Sequence, residues 1–327
     1  MEAATTGPAT GRIALIDAAR GVALLAMAVY HFTWDLEFFG YADPGLTSHG
    51  GWRLFARAIA SSFLVLAGTS LFLAHGNGLR GKSFLRRFYQ VAGAAAAISL
   101  VTRIAFPDAF IYFGILHQIA FASLVGLVFL RAPFWLTLAA AGVLLVLPQF
   151  VSSPVFDPRW FAWTGLAEKA PRSNDFVPVL PWTGAVLAGL GFAQAILSAP
   201  VRARLASLRL PAPSRALGFA GRHSLLFYLV HQPILIGLVW AASQLFPPKA
   251  MLPETRFLAA CARSCEAVRD AEFCGLYCAC TLDALVDADM LDTVIEGKSD
   301  APSKQAQETI AETCTRKTDE ALEAVKP

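Results

Sequence analysis

Long apolar runs separated by short polar turns fill the first 246 residues, and polar residues dominate from 247 onward. Crossing the roughly 30 Å hydrocarbon core of a bilayer takes about 20 helical residues. Seven runs meet that length: 13–32, 54–74, 88–105, 110–130, 134–151, 179–197 and 224–245. Alanine, glycine and leucine fill them, as closely packed membrane helices require. The first run is longer than the apolar core of a cleaved signal peptide, and no small-residue cleavage site follows it at Trp34 to Glu37. The pattern predicts an all-α, polytopic membrane helix bundle of about seven transmembrane helices (1–246), followed by a C-terminal tail (247–327).

Composition supports the division. Charged residues make up 16% of the 327 positions and hydrophobic residues 56%. A soluble protein carries about 25% charged residues, so too little polar surface exists for two soluble domains. Disorder of the bulk is excluded by the apolar majority. A nucleic-acid partner is excluded by a net charge of only +3 and the lack of a basic tract. The +3 hides two materials: 18 basic and 9 acidic residues up to 246, then 9 basic and 15 acidic beyond it.

Short-loop Lys and Arg set orientation in membranes. Arg80, Lys82, Arg86 and Arg87 follow the second run, Arg131 the fourth, and Arg202, Arg204, Arg209, Arg215 and Arg222 the sixth. The loops after the first and third runs hold almost none, and the loop after the fifth (152–178) carries Arg159, Lys169 and Arg172. Alternation then places the N-terminus in the cytoplasm and the tail outside, in the periplasm if the membrane is a bacterial inner membrane.

All six cysteines lie in the tail, at 261, 265, 274, 278, 280 and 314. Disulfides persist in oxidising compartments, which agrees with that orientation. Two i,i+4 pairs each share one helix face. Antiparallel helices would align Cys261 with Cys278 and Cys265 with Cys274, leaving Cys280 for Cys314. The tail reads as a disulfide-linked helical hairpin, although six cysteines allow 15 pairings. Zinc is the alternative, disfavoured because no Cys-x2-Cys pair and no tail histidine exists; no metal is expected.

Ionisable groups within membrane runs are functional candidates. Asp17 and Arg20 are spaced to pair on one helix face, as a structural ion pair or part of a cofactor site. His31 and Asp35 are four apart, so the carboxylate could orient the imidazole as a general base requires; a polar helix end within an aromatic belt is the alternative. His49 sits in a loop beside Gly50, Gly51 and Trp52, where glycine permits close backbone approach. His117 and His231 fall at mid-membrane, as hydrogen-bonded core histidines or as the lining of a substrate path. His75 and His223 occupy the cytoplasmic helix ends. Asp175, Pro178, Pro181 and Trp182 form a rigid or broken approach to the sixth helix. Such a start frees N–H groups for an anion or acyl oxygen. No nucleophile elbow, Walker loop, dinucleotide fingerprint or His-Glu-x-x-His motif is present.

Six stretches in order resemble the bacterial relatives of heparan-alpha-glucosaminide N-acetyltransferase, over about residues 12–240. They are 16–21 (with Asp17 and Arg20), 30–35 (His31 and Asp35), 63–70 (Gly68 and Ser70), 113–119 (His117 and Gln118), 175–182 (Asp175 and Trp182) and 221–233 (His223, Tyr228 and His231). The resemblance implies acetyl transfer across the membrane, from cytosolic acetyl-CoA as donor to an extracytoplasmic glycan-type acceptor. It implies that His49, preceding the second core helix, or His31 is the catalytic base. The spacing from His49 to Gly68 and the count of seven helices depart from the lysosomal enzyme.

In that reading Asp17, Arg20, Arg80, Lys82, Arg86, Arg87, His117, Arg222, His223 and His231 serve the CoA side, where arginine suits phosphates. Arg57 or N–H groups at the start of the sixth helix would steady the oxyanion, and Trp52, Asp175 and Trp182 would line substrate access. The basic loops equally serve topology alone. The competing classes are a small-solute transporter lined by His117 and His231, a haem-binding electron carrier using the same pair, and a scaffold whose business is the tail. A core of this size also leaves room for a homo-oligomer.

Overall fold

The computed structural model describes residues 13–208, 211–248, 252–266, 268–297 and 300–325. Arg209, one of the loop cations counted above, lies outside them. The described residues are all-α, with no strand. In chain order the helices are α1 (Ala14–Phe38), α2 (Gly50–His75), α3 (Gly81–Ala105), α4 (Ile115–Phe129), α5 (Phe134–Val146), α6 (Arg159–Ala162) and α7 (Val179–Ile196). They continue with α8 (Ala199–Ser207), α9 (Ala212–Arg222), α10 (Ser224–Leu245), α11 (Pro253–Glu266), α12 (Ala271–Asp287), α13 (Leu291–Glu296) and α14 (Ala301–Val325).

Every one of the seven apolar runs is helical. α1, α2, α3, α7 and α10 are long and apolar enough to span a bilayer, and the chain is a polytopic membrane protein. α4 has 15 residues, about 22 Å at 1.5 Å per residue. It starts five residues later than the hydropathy pattern implied, because residues 106–114 form turns before it. α5 is prolonged by a 3-10 turn to Gln149. Apolar side chains point outward along these helices: Ile104 and Val128 are each 77% exposed. In water that would be costly, whereas hydrocarbon solvates such a surface.

The chain divides into two compact units. The first comprises the described parts of Met1–Met27 and Arg57–His231. Its centre is α7, packed on α4 and α5, with Leu187 and Leu190 fully buried. Paired glycines set how closely its helices approach. A Cβ on Gly68 of α2 would overlap the Val186 carbonyl oxygen of α7, and one on Gly189 of α7 would overlap that of Val65 in α2. Gly21 and Gly221 join α1 to α9 in the same reciprocal way, against Leu217 and Asp17 carbonyls. Small residues let membrane helices pack backbone to backbone where no hydrophobic force drives association.

The second unit comprises the described parts of Ala28–Ala56 and Gln232–Pro327. In it α11 and α12 form the hairpin that the cysteine spacing predicts. Cys261–Cys278 and Cys265–Cys274 bridge the two helices, and Cys280–Cys314 ties α12 to α14. Asp270 caps α12 by accepting the Phe273 N–H at 2.9 Å, and that bond draws its carboxyl below the usual range. Arg269 lies over the Phe273 ring and pairs with Asp319 of α14 at 2.6 Å.

Candidate functional site

Within the second unit, the last turns of α1 carry His31 and Asp35, the loop to α2 carries His49, and Trp52 stands in the first turn of α2. α1 runs six residues past the predicted end at 32, so Asp35 and Glu37 are helical. Asp35 is fully buried. The spacing offered it to His31, but its Oδ1 accepts from Gln232 Nε2 at 2.7 Å, while its Oδ2 has no hydrogen-bond partner among the described residues. A buried carboxylate oxygen without a partner carries a desolvation cost that protonation or a ligand relieves.

Glu37 organises the loop. Its Oε2 accepts from the Thr47 N–H at 2.9 Å and from the Thr47 hydroxyl at 2.7 Å, and its Oε1 accepts from the Gly45 N–H. Tyr30 adds a hydroxyl donated to the Thr47 carbonyl at 3.4 Å. The Tyr30 ring stands edge-on to His31 and 6.3 Å from Trp52. One tyrosine therefore touches both segments that carry the candidate bases.

His49 follows directly. Its Nδ1 lies 3.0 Å from the Gly45 carbonyl oxygen. A carbonyl only accepts, so Nδ1 carries the hydrogen, and in the neutral ring Nε2 presents a lone pair. Among the described residues no hydrogen bond is made to Nε2. Gly45 makes the contact possible by adopting φ +79, a conformation that costs other residues roughly 1–2 kcal/mol. The result is a half-buried imidazole with its tautomer fixed from one side and its basic nitrogen open on the other.

The first unit holds the remaining sequence candidates. Asp17 and Arg20 pair at 3.0 Å, and Arg20 also donates to Ser70. His117 accepts the Gly114 N–H on Nδ1 at 3.2 Å, and its Nε2 lies 3.2 Å from Ser99 Oγ. Ser99 gives its own hydrogen to the Ile111 carbonyl, so His117 Nε2–H is the donor. Both ring nitrogens are engaged, which leaves no lone pair for a haem iron. Asp175 accepts from the Ile115 N–H at 2.9 Å and the Tyr228 hydroxyl at 3.5 Å. His231 Nδ1 in turn meets the Tyr228 carbonyl at 2.7 Å. Burial pushes the Asp175 carboxyl up to about 6, against the lowering effect of those two bonds.

The start of α7 breaks at Leu180, as its prolines imply. The N–H groups of Val179 and Leu180 are not free for an anion, however: Trp163 and Thr164 carbonyls take them at 2.8 and 2.9 Å. Trp182 packs into the apolar cluster around Leu64 and Ile115. Arg57 is exposed on α2. Arg80 closes the end of α2 by donating Nε and Nη2 to the Ala74 carbonyl. Lys82, Arg86 and Arg87 are exposed at the start of α3, and Arg222 and His223 at the end of α9. Arg202 of α8 reaches Asn77 at 3.4 Å, in the turn that leads through Arg80 to Lys82 at the start of α3.

Three residues central to this geometry had weak sequence signals. Gln232 was visible only as a neighbour of His231, Glu37 only as the residue after the first apolar run, and Thr47 not at all. An amide within an apolar run (Gln232) and an acid shortly after one (Glu37) are the cues that would have found the first two.

The apolar helices define an integral-membrane protein, and within the second unit a polar, histidine-bearing cluster lies at the end of α1 and in the loop after it. The chain belongs to the heparan-alpha-glucosaminide N-acetyltransferase catalytic family, whose profile matches residues 12–233. It is therefore a membrane protein of a transferase family, and the match ends before the cysteine-rich tail. No curated protein and no solved structure matches this chain.

Proposed function

We propose that the protein is a transmembrane acetyltransferase. It moves an acetyl group from cytosolic acetyl-CoA to an extracytoplasmic, glycan-type acceptor, with residues 1–246 as the transferase and 247–327 as an external module. The observation that carries this reading is the His49 geometry: Nδ1 held by Gly45, Nε2 without a partner among the described residues, on a loop pinned by Glu37. A general base needs a lone pair in a fixed direction. His49 takes the proton of the acceptor hydroxyl or amine as that atom bonds to the acetyl carbonyl carbon. The carbon–sulfur bond breaks and CoA leaves as thiolate. His31, edge-on to the Tyr30 ring whose hydroxyl bonds the Thr47 carbonyl of the same loop, is the second candidate base. On the donor side, the exposed Arg80, Lys82, Arg86 and Arg87 with the nearby α8 arginines suit CoA phosphates. Arg20, paired with Asp17, and Arg222 and His223 are assigned to the same donor side. The orientation follows the basic-loop bias, with the tail periplasmic in a bacterial inner membrane.

The test is reconstituted protein in vesicles with labelled acetyl-CoA. Label released as acetate or moved to cell-envelope glycan supports the reading, and His49→Ala should lower it by about 100-fold or more. His31→Ala should cost less. Wild-type vesicles that neither bind acetyl-CoA nor move label would overturn it.

A further inference from the structure

The disulfide-linked tail lies beyond the family match, yet it supplies a cation to the His49 loop. Arg263, on α11, sits two residues before Cys265 and two after Cys261, so both bridges to α12 hold its backbone. Its Nη1 lies 3.7 Å from Asp43 Oδ2. Its Nε lies 3.7 Å, and His49 Nδ1 3.6 Å, from the point that a Cβ on Gly45 would occupy. The guanidinium and the imidazole thus flank one small glycine. Two further contacts join the tail's start to the same loop: the Tyr41 hydroxyl donates to the Phe246 carbonyl, and Gly40 borders Pro248.

The rest of the guanidinium is the informative part. Nε and Nη2 are buried and have no hydrogen-bond partner among the described residues. These two N–H groups form one edge of the fork, parallel and spaced to meet two oxygens of a carboxylate or phosphate. Docking the tail would need only the Nη1 contact with Asp43. A buried cationic edge without an acceptor is costly unless something pairs with it.

We propose that Arg263 is an acceptor-binding residue, whose free Nε/Nη2 edge takes an anionic group, carboxylate or phosphate, of an acidic acceptor beside His49. The tail is then a specificity element. The anion fixes the acceptor's position, and the hydroxyl or amine to be acetylated meets His49 Nε2. This deepens the proposed function and rests on His49 being the base.

The experiment uses full-length protein in detergent without acetyl-CoA. Carbethoxylation of His49 by diethyl pyrocarbonate is followed by mass spectrometry in the presence of glucuronate, glucose 6-phosphate or glucose. Protection by an anionic sugar and not by glucose is expected, and which of the two protects identifies the acceptor's charge as carboxylate or phosphate. Arg263→Gln should weaken that protection about tenfold or more, and Arg263→Lys should keep part of it, since a point charge replaces a fork. Asp43→Asn should retain it, with the three disulfides intact in each variant by non-reducing digest. Equal protection in Arg263→Gln, or none by either anion in the wild type, overturns the proposal. Acetyl-CoA hydrolysis by the wild type without acceptor reads the transferase separately, so failure of one is not failure of the other.

Discussion

The Asp175 carboxylate accepts the Ile115 N–H at 2.9 Å across 60 residues of sequence, and so caps a helix to which it does not belong. A carboxylate at a helix N-terminus meets unsatisfied N–H groups and the positive end of the helix dipole. Burial nevertheless raises this carboxyl from 3.8 to about 6. Between those values the folded protein keeps a proton that the unfolded chain releases. The stabilising contribution of that proton is complete below about pH 4 and is lost as pH rises through about 6. Melting followed by tryptophan fluorescence in detergent should show this fall. Asp175→Asn should flatten it, whereas Asp175→Ala should cost about 1–3 kcal/mol by leaving Ile115 N–H and Tyr228 without their acceptor. An unchanged pH slope in Asp175→Asn counts against it.

Glu37 accepts three hydrogen bonds from the loop that presents His49. It acts through the loop and is a positioning residue. Glu37→Gln keeps the size but places an amide NH2 against at least one loop donor. The acetyl-transfer turnover should fall roughly 10–100-fold, the range that a small misplacement of a catalytic group costs. The acetyl-CoA KM should be unchanged, because the donor-side cations are not involved. A rise in KM with constant turnover would contradict the positioning role.

Much of the fold was legible because its determinants are local. Seven runs of apolar residues can satisfy their backbone in a bilayer only as helices, and all seven are helices. The cysteine pairing was legible because i,i+4 spacing fixes a face and antiparallel packing fixes the order. The site was less so. Asp35 has a partner four residues away by spacing, yet it bonds Gln232, 197 residues distant. Which helices lie side by side decides that choice, and periodicity within one helix carries no such information. The same holds for α8 and α9, whose basic residues made the segment read as a plain loop. Arg263 was invisible as a site residue because nothing in the tail's sequence says which surface it meets.

The bridge Cys280–Cys314 closes the longest of the three tail loops, 34 residues in sequence separation. Removing it should destabilise the tail by about 4 kcal/mol on the chain-entropy scale. The paired variant Cys280→Ser with Cys314→Ser avoids a stray thiol. Limited proteolysis of the full-length protein in detergent should cut the variant within α14 at a urea concentration that leaves the wild type intact. Equal resistance of the two proteins would show that α14 is held by its packing and by the Arg269–Asp319 pair instead.

Gly68 and Gly189 predict the clearest contrast in stability. In the first unit each glycine faces a carbonyl of the partner helix so closely that a Cβ would overlap it, with Val186 on one side and Val65 on the other. Gly93 of α3 and Gly142 of α5 have nothing within 4 Å of the same position. Alanine favours helix over glycine by roughly 1 kcal/mol where space is free. Gly93→Ala and Gly142→Ala should therefore leave the melting temperature in detergent unchanged or raise it. At Gly68 and Gly189 the methyl meets backbone, which cannot rotate away as a side chain can. Forced separation of α2 from α7 should cost about 1–3 kcal/mol or more per substitution. Because both glycines act on one interface, Gly68→Ala with Gly189→Ala should cost less than twice the single effect: helices already parted by one methyl have room for the second. Strict additivity in that double variant would mean that the two contacts yield independently and that α2 and α7 do not move as rigid bodies.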